Sequence, residues 1–165
     1  MLLTIYLALV FCMGITVLLI SAVAFVQEKK FFSSAPKEAQ EVVQPRNEEL
    51  FYGARKMGWF LFILSILILS GVFIISIWDG FRNQFSFWQF FLRFIIILSV
   101  YKLYDMIFFD WFLLCKYHFF QFYYPEVTEV YHNRKYGYNL KSQLLKLFVL
   151  FPLISALLAW ICTLF

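Results

Sequence analysis

The side chains able to do chemistry gather in one stretch, Phe85 to Lys116. It is otherwise built mostly of Phe, Ile, Leu, Trp and Tyr, yet it carries Arg93, Lys102, Asp105 and Asp110. A charge on an isolated helix in hydrocarbon costs from about 2.5 to over 10 kcal/mol. Neighbouring helices must therefore shelter this one. On a helical wheel advancing about 100° per residue, Lys102 and Asp105 share a face and lie within reach of each other. Arg93 points the opposite way and lies near an end, where its stem can snorkel to headgroups. Asp110 lies near the other end, followed by His118. Lys102 and Asp105 form the deep pair. Three readings are open for it: a structural ion pair orienting the bundle, a proton- or substrate-binding site, or an aqueous placement beyond the headgroups. In a site with chemistry, Lys102, Asp105, Asp110 and His118 are the candidates for acid–base or anion-holding roles.

Other constellations are weaker. His118 and His132, with Glu126 and Glu129 between them, have the right atoms for a metal. Their spacing fits no known ligand pattern and Pro125 interrupts any single helix, so no metal and no cofactor is expected. Cys12, Cys115 and Cys162 are far apart, and no CxxC exists to exchange a disulfide. There is no phosphate loop or dinucleotide fingerprint. A bis-histidine haem would need imidazoles within the bundle, and both histidines fall in a connection.

The elements that must hold these residues are membrane helices. Of 165 residues 63% are hydrophobic and only 15% charged, too few for the surface of a soluble domain. The expected fold is an all-α integral membrane protein: one domain, a four-transmembrane-helix bundle, with helices at about 2–26, 57–78, 87–115 and 140–165. Two connecting segments contain short interfacial helices. The first apolar run lacks a basic start and exceeds a signal-peptide core, so it reads as a retained crossing.

In the first connection, Ser34 and Pro36 suggest a helix start, and Pro45 ends that helix and opens another running through Glu48 into the membrane. Small residues form stripes that let helix backbones approach: Gly14 and Ser21 on the first crossing, Gly58, Ser65 and Ser76 on the second, and Pro152, Ala156, Ala159 and Thr163 on the last. The run Tyr117 to Tyr124 is almost wholly aromatic and belongs at headgroup level. Tyr136-Gly137-Tyr138 reads as a turn, Asn139 as a helix cap, and Pro152 as a kink.

Basic residues set the expected orientation. The first long connection carries Lys29, Lys30, Lys37, Arg46, Arg55 and Lys56, and the second carries Lys116, Arg134, Lys135 and Lys141. The short connection has only Arg82. The positive-inside rule then puts segments 27–56 and 116–143 in the cytoplasm and both termini outside. The net charge of +4 is spread between membrane segments and predicts no nucleic-acid partner.

Three functions fit. One is a small polytopic membrane subunit or homo-oligomer, acting through helix packing and its cytoplasmic face, with the bilayer and another membrane protein as partners. Another is a membrane-embedded enzyme acting on a lipophilic substrate at that face. The third is a small proton-coupled carrier using Asp105. In helix count, size and orientation the chain resembles the membrane proteins of eicosanoid and glutathione metabolism. The resemblance covers architecture only. Their arginine-, asparagine- and glutamate-bearing second helix has no counterpart, because Gly58 to Trp78 is uncharged. The string Asp79-Gly80-Phe81-Arg82, with Asp105 and Asp110 downstream, lacks the alanine–arginine pair and close aspartate spacing of the CDP-alcohol phosphotransferases.

Overall fold

The computed structural model describes residues 1–35, 37–44, 46, 48–132 and 140–164, excepting the side chains of 32–34 and 140. Pro36, Pro45, Arg134, Lys135, the Tyr136-Gly137-Tyr138 turn and the Asn139 cap fall outside the described residues, as does the side chain of Ser34. In chain order the elements are α1 (Leu2–Val26), α2 (Lys37–Val42), α3 (Ala54–Arg82), α4 (Phe87–Tyr104), α5 (Phe119–Tyr123), α6 (Thr128–Tyr131) and α7 (Lys141–Thr163). Among the described residues there is no strand.

Three of these helices, α1, α3 and α7, are long and apolar enough to cross a membrane. Only 17% of the most apolar window of α3 and of α7 is buried within the chain, against 44% for α1. Most of α3 and α7 therefore presents Leu, Ile, Phe and Trp outward, which suits lipid rather than water.

Several helices change winding. The last turns of α1 (Ser21–Val26), the middle of α7 (Lys146–Leu150) and the long extension of α4 (Asp105–Lys116) close i→i+5 hydrogen bonds. Tyr117 N–H donating to the Phe112 carbonyl at 2.8 Å is one such bond. This winding turns each residue through less than the about 100° of an α-helical wheel. Positions beyond Asp105, Asp110 included, therefore depart from the angles a uniform wheel assigns them.

The contacts divide the chain into two compact units. The first comprises Met1–Gly14, Leu67–Asp105 and α7. Its core is Phe90 and Phe94 of α4 against Ala159 and Cys162 of α7. Gly80 of α3 lies so close to the Phe90 ring that a Cβ there would overlap it. The helix α3 runs four residues past the expected end at Trp78. Asn83 explains the extension: its amide donates to the Asp79 carbonyl at 2.8 Å and to the Asp79 carboxylate at 3.0 Å, capping the last turn. The chain then reverses through Gln84 at φ 52°, and Gln89 Oε1 accepts from Ser86 N–H at 2.8 Å to open α4.

The second unit comprises Ile15–Ile66 and the described residues from Met106 to His132. Here the two long connections fold onto each other. Ala39 and Val43 from the first meet Tyr124, Val127 and Tyr131 from the second, over Val23 and Leu114. The interfacial segments expected separately are thus one small core. The expected helix through Glu48 is absent; residues 48–53 form turns, and Gly53 at φ +84° lets the chain enter α3 at Ala54. Lys30 lies over the Trp59 ring at 4.9 Å, pinning the first connection to the start of α3.

The small-residue stripes of α1 and α3 prove to be internal. Ser21, Ser65 and Ser76 are fully buried, and each hydroxyl donates to a carbonyl of its own helix at 2.7 Å. A Cβ on Gly58 would sit 2.7 Å from the Phe25 Cβ. On α7 the inward face is Ser155, Ala159 and Cys162, so only Ala159 of the expected stripe is fully inside and Thr163 is exposed. Small residues are consumed where helices of this chain meet, because only there does a missing side chain permit close approach.

Candidate functional site

The first polar centre is one the sequence reading misplaced. Arg93 does not snorkel. It is 4% exposed, and its Nη1 donates to the Asp79 carboxylate at 2.7 Å and to the Ser76 carbonyl at 3.0 Å. Its guanidinium also lies 4.4 Å from the centre of the Phe85 ring. Burial forces this arrangement: a cation removed from water needs a carboxylate and further acceptors beside it. The signal available in the sequence was the short connection, which brings the end of α3 back beside the start of α4. Asp79 and Arg93 both lie within a few turns of it.

Lys102 and Asp105 meet as their spacing predicts. Lys102 is 4% exposed, and its ammonium donates to the Asp105 carboxylate. The contact is local to the helix, where residues three apart are neighbours. It neutralises the second cation of α4 and leaves Asp105 partly open to its surroundings.

Asp110 and His118 belong to the other unit. Asp110 is partly buried in the i→i+5 segment, and its carbonyl accepts from the Cys115 thiol at 3.1 Å. His118 follows the helix end with φ 52°, a left-handed conformation that His adopts more readily than most residues. That residue turns the chain from the end of the α4 extension into α5. The reversal creates a cavity of about 170 Å³. Leu114, Cys115, His118 and Gln121 line one part of it, and Thr128, Tyr131 and His132 the rest. The structure thus brings His118 and His132 to one cavity, whereas Glu126 turns away to Arg46. Among the described residues no group of three or more His, Cys, Asp or Glu is placed to hold a metal.

Comparison of the chain with family models, with characterised proteins and with solved structures finds no match. The candidate site therefore rests on its own geometry.

A second arginine ties the two long connections together. Arg46 donates to Glu126 at 2.7 Å and to the Tyr123 carbonyl at 3.3 Å, and Arg55 donates to the Arg46 carbonyl at 2.9 Å. Arg46 also lies over the Tyr124 ring at 5.4 Å. Tyr124 is fully buried, and that burial pushes its hydroxyl up to about 12, opposed by the Arg46 charge and aided by that of Glu126. Nothing in the sequence assigned Gln121, Arg46 or Tyr124 a role at a site. The contacts of Arg46 and Tyr124 depend on residues about eighty positions apart in the chain meeting, and no local pattern announces that.

Proposed function

We propose that the chain crosses the membrane four times, through α1, α3, α4 with its extension, and α7, and serves as a small membrane subunit. Its working surface is the pair of long connections, which face the cytoplasm, with both termini outside. The observation that carries this reading is the internal compensation of α4: Arg93 is held by Asp79 and Lys102 by Asp105. A helix whose cations are neutralised within the chain can lie in lipid among α1, α3 and α7. The basic residues of the two long connections support the orientation. With the small-residue stripes of α1 and α3 turned inward, helix faces rich in large apolar side chains meet lipid or a second membrane protein.

The carrier reading, and an enzyme reading built on Lys102 or Asp105, require these residues to change partners during turnover, and their mutual contact favours a structural role. The distribution of functional groups instead favours the connections, where the histidines and the cavity lie.

Cysteine scanning in a variant without native cysteines tests the topology. Cysteines placed at exposed Tyr52 and Tyr117 are expected to react with an impermeant maleimide only after cells are opened, and one at Gln84 in intact cells. The reverse pattern, or Tyr52 and Tyr117 on opposite sides, overturns it. Native mass spectrometry of the chain extracted in nanodiscs tests the subunit role. A stoichiometric assembly, with itself or one other membrane protein, is expected to survive in the Lys102→Met/Asp105→Leu double variant. A monomer alone overturns that role.

A further inference from the structure

We propose that the cavity between the end of the α4 extension, α5 and α6 takes up a neutral polyhydroxyl group the size of glycerol. This deepens the proposed function, on which its cytoplasmic placement rests, by naming what the working surface binds.

The size fits first. A cavity of about 150 Å³ holds a molecule as large as benzene, and this one measures about 170 Å³. Charge narrows the chemistry. Among the described residues no Lys, Arg, Asp or Glu lines the cavity. An ammonium or phosphate drawn into it would lose its water without meeting a side chain of fixed charge, which is unfavourable.

Hydrogen-bonding capacity narrows it further. Gln121 donates through Nε2 to the Leu114 carbonyl at 3.1 Å, which fixes the plane of its amide. Its Oε1 is buried and accepts no hydrogen bond among the described residues. A buried acceptor left in that state costs free energy, so the site calls for a donor. His118 and His132 each bring two ring nitrogens able to hydrogen-bond, and the Thr128 hydroxyl both donates and accepts. A hydrocarbon, an ether or an ester satisfies none of the acceptors. Hydroxyl groups donate and accept at once, and adjacent hydroxyls on a short carbon chain can serve several such partners. Leu114 supplies an apolar wall for the carbon side of that chain.

The same chemistry has two sources, the glycerol head of a neutral lipid and a free polyol. The test uses the full chain purified in lauryldimethylamine oxide, a detergent without hydroxyl groups. Free glycerol is followed by saturation-transfer NMR. Monoolein and dioleoylphosphatidylcholine are compared by native mass spectrometry. The expected result is binding of monoolein in preference to the phosphocholine lipid, weakened about tenfold by Gln121→Leu, the effect of losing one hydrogen bond of about 1.4 kcal/mol. Glycerol signals lost in the same variant assign the free source, and monoolein binding alone assigns the lipid source.

Thr128→Val, which is nearly isosteric, provides a second reading should Gln121→Leu lose its helical circular dichroism. Binding of neither probe to the unaltered chain, equal binding of both lipids, or affinity unchanged in the folded variants overturns the proposal and leaves a water-filled cavity. Because the measurement is made in detergent, it does not depend on sidedness. A failed topology and a failed ligand are therefore distinguishable.

Discussion

Each compact unit holds an arginine against a carboxylate at 2.7 Å, and the two arginines differ in their surroundings. The side chains of Arg93 and Asp79 are 4% and 20% exposed; those of Arg46 and Glu126 are 35% and 22% exposed. Arg93 is enclosed beside the Ser76 carbonyl and the Phe85 ring, and its buried Nε makes no hydrogen bond among the described residues. Arg46 is a tie between two connections and keeps access to water. The comparison separates two uses of one chemical pair. Inside the first unit the carboxylate is what makes an already buried cation tolerable. In the second, the pair fixes the register of one connection on the other, and little energy need depend on it.

Breaking the enclosed pair is the most severe test. Asp79→Leu strands a buried guanidinium and is expected to lower unfolding stability in detergent by about 3–5 kcal/mol. The Asp79→Leu/Arg93→Met double variant should recover most of that loss, because it removes the charge as well as its partner. Additive losses in this cycle would show that Arg93 reaches water and that the two pairs are alike.

A smaller effect separates the units by pH. With its pKa at about 12, Tyr124 keeps its proton to higher pH in the folded chain than the about 10 of an unfolded tyrosine. Its contribution is fully present below pH about 10 and is lost as pH rises toward 12, amounting to about 2–3 kcal/mol across that window. Alkaline difference spectra of the parent and Tyr124→Phe measure the late-titrating phenol. The variant should also lose less stability in that window. A phenol titrating near pH 10 would mean that the core between the connections is open to water.

The partly exposed pair should matter least. Arg46→Met or Glu126→Gln is expected to cost about 1 kcal/mol or less, further reduced by salt. A loss as large as that of Asp79→Leu, read by the same unfolding assay, would erase the distinction between the two arginines.

What could be read from the sequence follows the range of the interaction. The apolar runs announce the long helices, because a helix of given length and composition satisfies its own backbone and needs no partner to be recognised. The Lys102–Asp105 contact was equally legible, being set by helical spacing alone. The small-residue stripes were visible, but not which surface they would meet, since a glycine permits close approach without choosing what approaches. Gly80 against Phe90 and Gly58 against Phe25 are choices of packing. The i→i+5 segment shifted positions beyond Asp105 off the regular wheel, so angles counted from Arg93 lost their meaning there.

Composition and hydrophobic periodicity by themselves determined that this is a helical chain suited to lipid, and which charged residues fall on its one polar helix. Only the tertiary structure decided that Arg93 belongs to Asp79, that Arg46 belongs to Glu126, and that His118 and His132 open onto one cavity. The reason is physical. Helix formation and contacts one turn apart are properties of a short segment, whereas pairing across a connection depends on how neighbouring helices and connections come to rest against each other. That is set by the summed packing of side chains distant in sequence.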